Sequence, residues 1–402
     1  MIIKRPFAKI NSWLLLKKLK WSKKRKQFNF RRRIFRHSFV FWLLISINLI
    51  LIPYPVYIQK YIASNIIIRQ NKSPETEFGI WTYGQSLDYN KKGEPEYVDN
   101  KTLQMLADAG IYFVYGISET KFDSQFLSRI TRCKQFGIEV HLSINPMDWS
   151  YANIWSFRDL KGEIEEILLM CKEYNLLESP ITTIVYDMET IIDTPFPFYG
   201  LNLDYISKLE EYYEIQKKFI KFNDFIKTEY NLDVRITSDI FQGIDFQDGD
   251  DDLMNLLGLI EDSNAEMSYM VYRRNNFGQN QILDHLKFLN DGDTIILNAW
   301  KYRGYLCYGD IDCAIRDSRL VLGYPDKTFR LEIWELSHFL ESYGIEGLEE
   351  LVEAICEVDS SDWPSITVWN TFPYSFYWDV VFIGIIMIDS YGPLFRILYN
   401  AY

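Results

Sequence analysis

The segment ITTIVYDMET, residues 181–190, runs from apolar residues into two carboxylates two positions apart. In a strand alternate side chains share a face, so Thr183, Val185, Asp187 and Glu189 point one way while Ile184, Tyr186 and Met188 point the other. The second set is bulky and suits a helix layer. The first carries both acids to the carboxyl end of the strand.

Working outward from this strand, two hydrophobic periods alternate along the chain. Short β-rich runs lie at 78–84, 111–118, 137–145, 181–189, 234–239, 266–272, 294–300, 329–336 and 365–372. Helical patterns separate them, among them NKTLQMLADAG at 100–110, SQFLSRITRCKQFG at 124–137 and LEEYYEIQKKFIKFNDFIKTEYNL at 209–232. Strand followed by helix, repeated this often, predicts parallel strands closed as a (β/α)8 TIM barrel. Nine strand runs are one too many for such a barrel. Either the last strand and helix, 365–389, are an appendage, or a unit near 329–357 is inserted before the true eighth strand. Gly110 and Gly137 stand where helices would end in left-handed caps before the next strand.

The 402 residues are 48% hydrophobic, enough for a large core. The formal charge of -12 conceals a division, because residues 1–74 hold 17 of the 43 basic residues and no acid. The remainder carries 26 basic against 55 acidic residues, a balance that argues against a nucleic-acid partner. Residues 38–58 carry no charge over 21 positions, close to the roughly 20 that span a bilayer core. The expected organisation is a basic cytoplasmic arm at 1–37, a transmembrane signal anchor at 38–58, a linker at 59–77 and an extracytoplasmic barrel at 78–402. A cleaved signal preceded by an early start codon, or an apolar helix that merely packs, are the alternatives. The run VVFIGIIMI at 380–388 is too short to span and reads as a buried helix.

Five cysteines are too few for a disulfide scaffold, although Cys307 and Cys313 are near enough to pair in an oxidising compartment. No cysteine or histidine spacing reads as a zinc site, and no P-loop or dinucleotide fingerprint is present. No metal or cofactor is expected. Asp250, Asp251 and Asp252 read as the start of a helix, with a cation site as the alternative, and His141, the one histidine on a strand, as a packed residue.

At the mouth of a barrel, an acid pair at a strand end has chemistry available to it. Cα atoms at i and i+2 lie about 6.6 Å apart, so one charge raises the other's pKa and a proton can be held near neutral pH. The bland reading is a strand end that meets water. Strand ends are also aromatic: Trp81 and Tyr83, Tyr115, Tyr272, Trp300, Trp334 and Trp369, with TPFPFYG at 194–200 after the acids. Flat rings with polar edges form platforms for sugar C–H faces, and an aromatic content of 16% also supplies core.

These residues resemble the chitinase-type family of glycoside hydrolases, which includes endo-β-N-acetylglucosaminidases and peptidoglycan-active relatives. That family is a (β/α)8 barrel whose fourth strand ends in D-x-x-D-x-D-x-E. Asp187 and Glu189 match its last two acids, while Val185 and Thr182 stand at the other two positions. The family's sixth strand tends to end in M-x-Y-D; here Met270, Val271, Tyr272 and Arg273 keep the tyrosine and lose the acid. Trp334 or Trp369 would fill the place of the family's floor tryptophan. Lysozyme-like barrels with an Asp-x-Glu at this strand end are also similar.

The resemblance implies a retaining, substrate-assisted hydrolase of N-acetylated glycans. In it Glu189 protonates the glycosidic oxygen, Asp187 positions the substrate's acetamido group and Tyr272 hydrogen-bonds that group. Trp81, Tyr83, Tyr115, Trp300, Trp334 and Trp369 would bind sugar. A carboxylate-assisted mechanism would need a nucleophile across the barrel, with Asp239, Glu332 or Glu335 as candidates. The alternative function is a catalytically silent barrel that binds carbohydrate or protein at the cell surface.

Overall fold

A computed structural model of the chain describes residues 65–68, 77–88, 92–94, 97–117, 124–144, 153–177, 179–188, 209–239, 259–260, 264–271, 280–286, 289–298, 310–325, 327–357 and 363–369. The chain divides into units Met1–Ile62 and Ala63–Tyr402, and every described residue belongs to the second. The arm at 1–37, the expected span at 38–58, the aspartates at 250–252 and the run at 380–388 lie outside the described residues. Among the described residues no helix is long and apolar enough to cross a membrane.

Eight strands close a barrel in sequence order. They are β2 (Phe78–Thr82), β3 (Tyr112–Ile117), β4 (Val140–Ile144), β5 (Ile181–Asp187), β6 (Asp233–Asp239), β7 (Glu266–Met270), β8 (Thr294–Asn298) and β9 (Arg330–Trp334). Each is parallel to the next, and β9 pairs back onto β2. Between or after them stand α1 (Asn100–Asp108), α2 (Ser124–Phe136), α3 (Phe157–Glu173), α4 (Leu209–Tyr230), α5 (Asn280–Leu286), α6 (Ile311–Leu322) and α7 (Leu336–Val352). This is the expected (β/α)8 barrel.

Local chemistry sets the element ends. Asp99 caps α1 by accepting the Thr102 N–H at 2.8 Å, and Asp310 accepts the Cys313 N–H at the start of α6. Gly110 and Gly137 take the left-handed conformation expected of them, with φ of 70° and 72°. Both faces of the strands are covered, as parallel sheets require. Ile184, Tyr186 and Met188 pack into the layer between sheet and helices, where the Tyr186 hydroxyl donates to Asn223 of α4 at 2.8 Å. Trp81, Tyr112, Val114, Val185 and Ile296 form a second apolar cluster inside the barrel, with Met270 and Trp334 against it. The alternation read in residues 181–188 therefore sorts inward from outward side chains.

The ninth strand is outside the barrel. β10 (Ile366–Trp369) pairs antiparallel with β1 (Asn65–Ile68) in a separate two-stranded sheet. The strand and helix at 329–357 therefore supply the true eighth unit, and the strand read at 365–372 is the appendage. β1 falls within the stretch expected to be a linker, 59–77, so part of that stretch is built into the domain. Cys313 is disulfide-bonded, whereas Cys133 and Cys171 carry free thiols.

Candidate functional site

The carboxyl ends of the strands bring several inward residues to one mouth. Asp187 ends β5 on the same face as Val185, which packs inside the barrel, and it is half-buried. Thr237 of β6 is its register partner, and the Thr237 and Ser268 hydroxyls lie 2.6 Å apart. On the opposite wall Ile80 pairs with Ile333, so the next residues, Trp81 and Trp334, come side by side on the inward face. Trp334 is half-buried beside Asn298 of β8, and its ring centroid lies 5.8 Å from that of His338. The peptide bond between Trp334 and Glu335 is cis.

Gly116 of β3 leaves room for Tyr83. A Cβ at Gly116 would stand 2.5 Å from the Tyr83 ring, so the absence of a side chain lets the phenol lie across the top of β3. Tyr83, Trp334, Met270 and Asp187 thus line one end of the barrel, with Trp81 fully buried beneath them.

Below the mouth, the barrel interior is charged where barrels of this class are usually filled by branched aliphatic residues. Glu332 of β9 is completely buried and accepts three hydrogen bonds from three other strands. Trp81 donates its indole N–H at 2.7 Å, Tyr112 its hydroxyl at 2.8 Å, and Arg235 its guanidinium. Tyr112 reaches the carboxylate only because Gly79 has no side chain: a Cβ there would lie 2.3 Å from the phenol ring. Burial, then the Glu332 charge, push the Tyr112 pKa well above its ordinary value, so the phenol stays a donor. Burial opposes the charge on Arg235, but Tyr112, Glu332 and Glu266 outweigh it and hold the guanidinium protonated.

The ionic chain continues to the amino end of the barrel. Arg235 approaches Glu266 at 3.4 Å, Glu266 accepts from Arg330 at 2.6 Å, and Arg330 pairs with Glu77 at 3.2 Å. His141 stacks on Tyr112 with centroids 4.1 Å apart, and its Nε2 lies 2.9 Å from Glu139. That hydrogen bond lowers the Glu139 pKa to about 2, while burial lowers that of His141. His141 is a packed residue, as its sequence setting suggested.

The structure sorts the expected site residues into three groups. Asp187, Tyr83 and Trp334 are at the mouth, and Trp81 lies directly under it. Tyr115 is not. It shares parity with Phe113 and Ile117, faces the helix layer against Phe126, and its hydroxyl accepts from Arg129 at 3.0 Å. Arg129 in turn makes a two-pronged contact with Asp88, which ties α2 to the turn after β2. Trp369 does not end a barrel strand; it is in register with Asn65 in the separate two-stranded sheet. Glu189, Tyr272, Arg273, Trp300 and the segment 194–200 lie outside the described residues.

Two of the nucleophiles considered for a carboxylate-assisted mechanism are committed elsewhere. Glu332 is locked in the buried network. Glu335 is buried at the start of α7, where it accepts from the Ser337 N–H and hydroxyl and lies 3.0 Å from His338 Nδ1. Burial would raise its pKa, but the His338 and Ser337 contacts outweigh this and lower it. Asp239 ends β6 beside Met270, and its side chain is outside the described residues. Sequence reasoning missed Arg235 and Tyr112. Their signal was a charged or hydroxylated residue on the inward parity of a barrel strand, well before its carboxyl end.

Fold and site together define a parallel eight-stranded barrel with an acid and aromatic rings at the carboxyl end of its strands. No protein-family model matches the chain, and no curated protein matches it either. Among solved structures, a broad-specificity endoglucanase from Ruminococcus flavefaciens is 11% identical with a TM-score of 0.43, covering 69% of this chain and 94% of its own. The spore cortex-lytic enzyme of Bacillus cereus is 10% identical with a TM-score of 0.39, over 68% of this chain and 74% of that one. A D-psicose 3-epimerase from Clostridium cellulolyticum is 12% identical with a TM-score of 0.34, over 69% and 96%. Likenesses of this size accompany different chemistries and do not transfer any of them.

Proposed function

We propose that this chain is a membrane-anchored glycoside hydrolase whose extracytoplasmic barrel acts on an N-acetylated glycan. The observation that carries the reading is Asp187, aimed inward at the carboxyl end of the fourth barrel strand and facing Tyr83 and Trp334 across the mouth. Barrel enzymes build their sites at this end, and in the sequence Glu189 follows Asp187 at the spacing of strand alternation. In the proposed chemistry Glu189 protonates the leaving oxygen, while Asp187 orients the substrate's own acetamido oxygen for attack on the anomeric carbon. Tyr272 and Trp300, each just past a barrel strand end in sequence, complete the sugar contacts. The uncharged run at 38–58, the basic arm before it and the disulfide at Cys313 support export with the amino terminus inside.

The rival reading is a silent barrel that binds glycan or protein without turnover. Val185 favours it: the position where the resembling family keeps an aspartate is here a buried valine. Hydrolysis of chitooligosaccharides by the full chain, compared with their de-N-acetylated counterparts, separates the two. The proposal expects cleavage of the acetylated substrate only, lost in Asp187→Asn. Binding of the acetylated sugar without product favours the silent barrel.

A further inference from the structure

A buried carboxylate with three donors is an expensive way to fill a barrel. Removing two charges from water costs several kcal/mol per ion, and well-packed apolar residues often serve stability equally well. What the arrangement supplies instead is direction. An indole N–H left unpaired in the interior is costly, so Trp81 has one orientation that satisfies it, with its nitrogen edge toward Glu332. The opposite edge of the indole and its faces are left for the residues above. Trp334 is the inward neighbour of Trp81 in register, and it is two residues beyond Glu332 on the same strand face. The carboxylate is itself held from outside this pair, by Tyr112 of β3 and Arg235 of β6, so it cannot follow a shift of the tryptophans.

We propose that Glu332 is a positioning residue: through the indole N–H of Trp81 it fixes the buried ring against which Trp334, the partly exposed floor on which a glycan rests, is packed. This rests on the reading of the mouth as a glycan site. Glu332 itself is sealed from the mouth and touches no substrate. Tyr112 and Arg235 serve the carboxylate rather than the sugar. A tryptophan floor that tilts loses its parallel contact with a pyranose face while every residue around it remains in place. The substrate class follows from that geometry: sugars with an apolar C–H face, bound by stacking as well as by hydrogen bonds.

The test is a double-mutant cycle on sugar affinity, with full chain in detergent and chitotetraose as the probe. Glu332→Gln is expected to weaken binding about tenfold in the native background and less than about twofold when Trp81 is already Phe. Tyr112→Phe, which removes a bond to the same carboxylate but leaves that of Trp81, is expected to lower stability and leave affinity within about twofold. Equal loss from Glu332→Gln in both backgrounds would overturn the proposal, because the carboxylate would then act other than through Trp81. If Glu332→Gln fails to fold, the native protein answers. With 15N-tryptophan, the Trp81 indole signal, assigned through Trp81→Phe, should exchange slowly and move with chitotetraose; a signal that stays still while other indoles move overturns the proposal. If no indole moves at all, the glycan reading itself falls. The hold on Trp81 is then decided by Tyr112→Phe/Arg235→Lys, in which a displaced, faster-exchanging Trp81 signal upholds it and an unchanged one refutes it.

Discussion

Arg235→Met is the perturbation that most severely tests the account of the barrel interior. It removes one of three donors to Glu332 and leaves a carboxylate with no exposure and no counter-charge in direct contact. Trp81 and Tyr112 still donate to it at 2.7 and 2.8 Å, so the acid is hydrogen-bonded but uncompensated. Breaking one side of a buried pair costs about 3–5 kcal/mol, and at about 2–4 °C per kcal/mol a domain of this size should melt about 6–20 °C lower. The second partner's removal should not add to this. In Arg235→Met/Glu332→Gln no buried charge is left alone, so the double variant should melt above Arg235→Met. Circular dichroism melts of the single and double variants provide the readings. A single variant within about 0.5 kcal/mol of the native protein, or a double variant whose loss equals the sum of the two singles, would refute the reasoning.

Other outcomes follow from particular residues. Burial raises the Asp293 pKa to about 7, so folding binds a proton there that the unfolded chain releases near pH 4; stability should fall as pH rises from about 4 to 7, and Asp293→Asn should stabilise by about 1–3 kcal/mol at pH 8 while changing little at pH 4. Gly116→Ala should displace the Tyr83 ring and weaken sugar binding several-fold, checked by titration calorimetry, whereas Gly79→Ala should drive a methyl group into Tyr112 and cost about 1–3 kcal/mol in a urea melt. Protease added outside intact cells should digest the barrel and spare the basic arm; a protected barrel would overturn the proposed topology.

Much of this architecture was legible because parallel strands carry a simple parity. The bulky outward set Ile184, Tyr186 and Met188 and the inward Val185 and Asp187 follow from alternation alone, and Gly110 and Gly137 marked helix ends because a left-handed residue is needed there. Tyr115 was misassigned when its place near a strand end was weighed without its parity, which it shares with Phe113 and Ile117. The surplus strand at 365–372 could not be placed because its partner, Asn65–Ile68, is a short apolar run whose pairing is non-local. Trp369 went with it. The interior network was least legible. Glu332 looked like one more acid near a strand end, and only the three-dimensional meeting of Trp81, Tyr112 and Arg235 makes it a buried anchor rather than a nucleophile.

Release of chromophore from an aryl chitobioside by the full chain, set beside its Glu189→Gln variant, tests the central claim most directly. The account predicts turnover that is lost in the variant, with the melting temperature within a few degrees of the native protein. Turnover that survives the substitution, or no turnover of any N-acetylated substrate by the native chain, would contradict it.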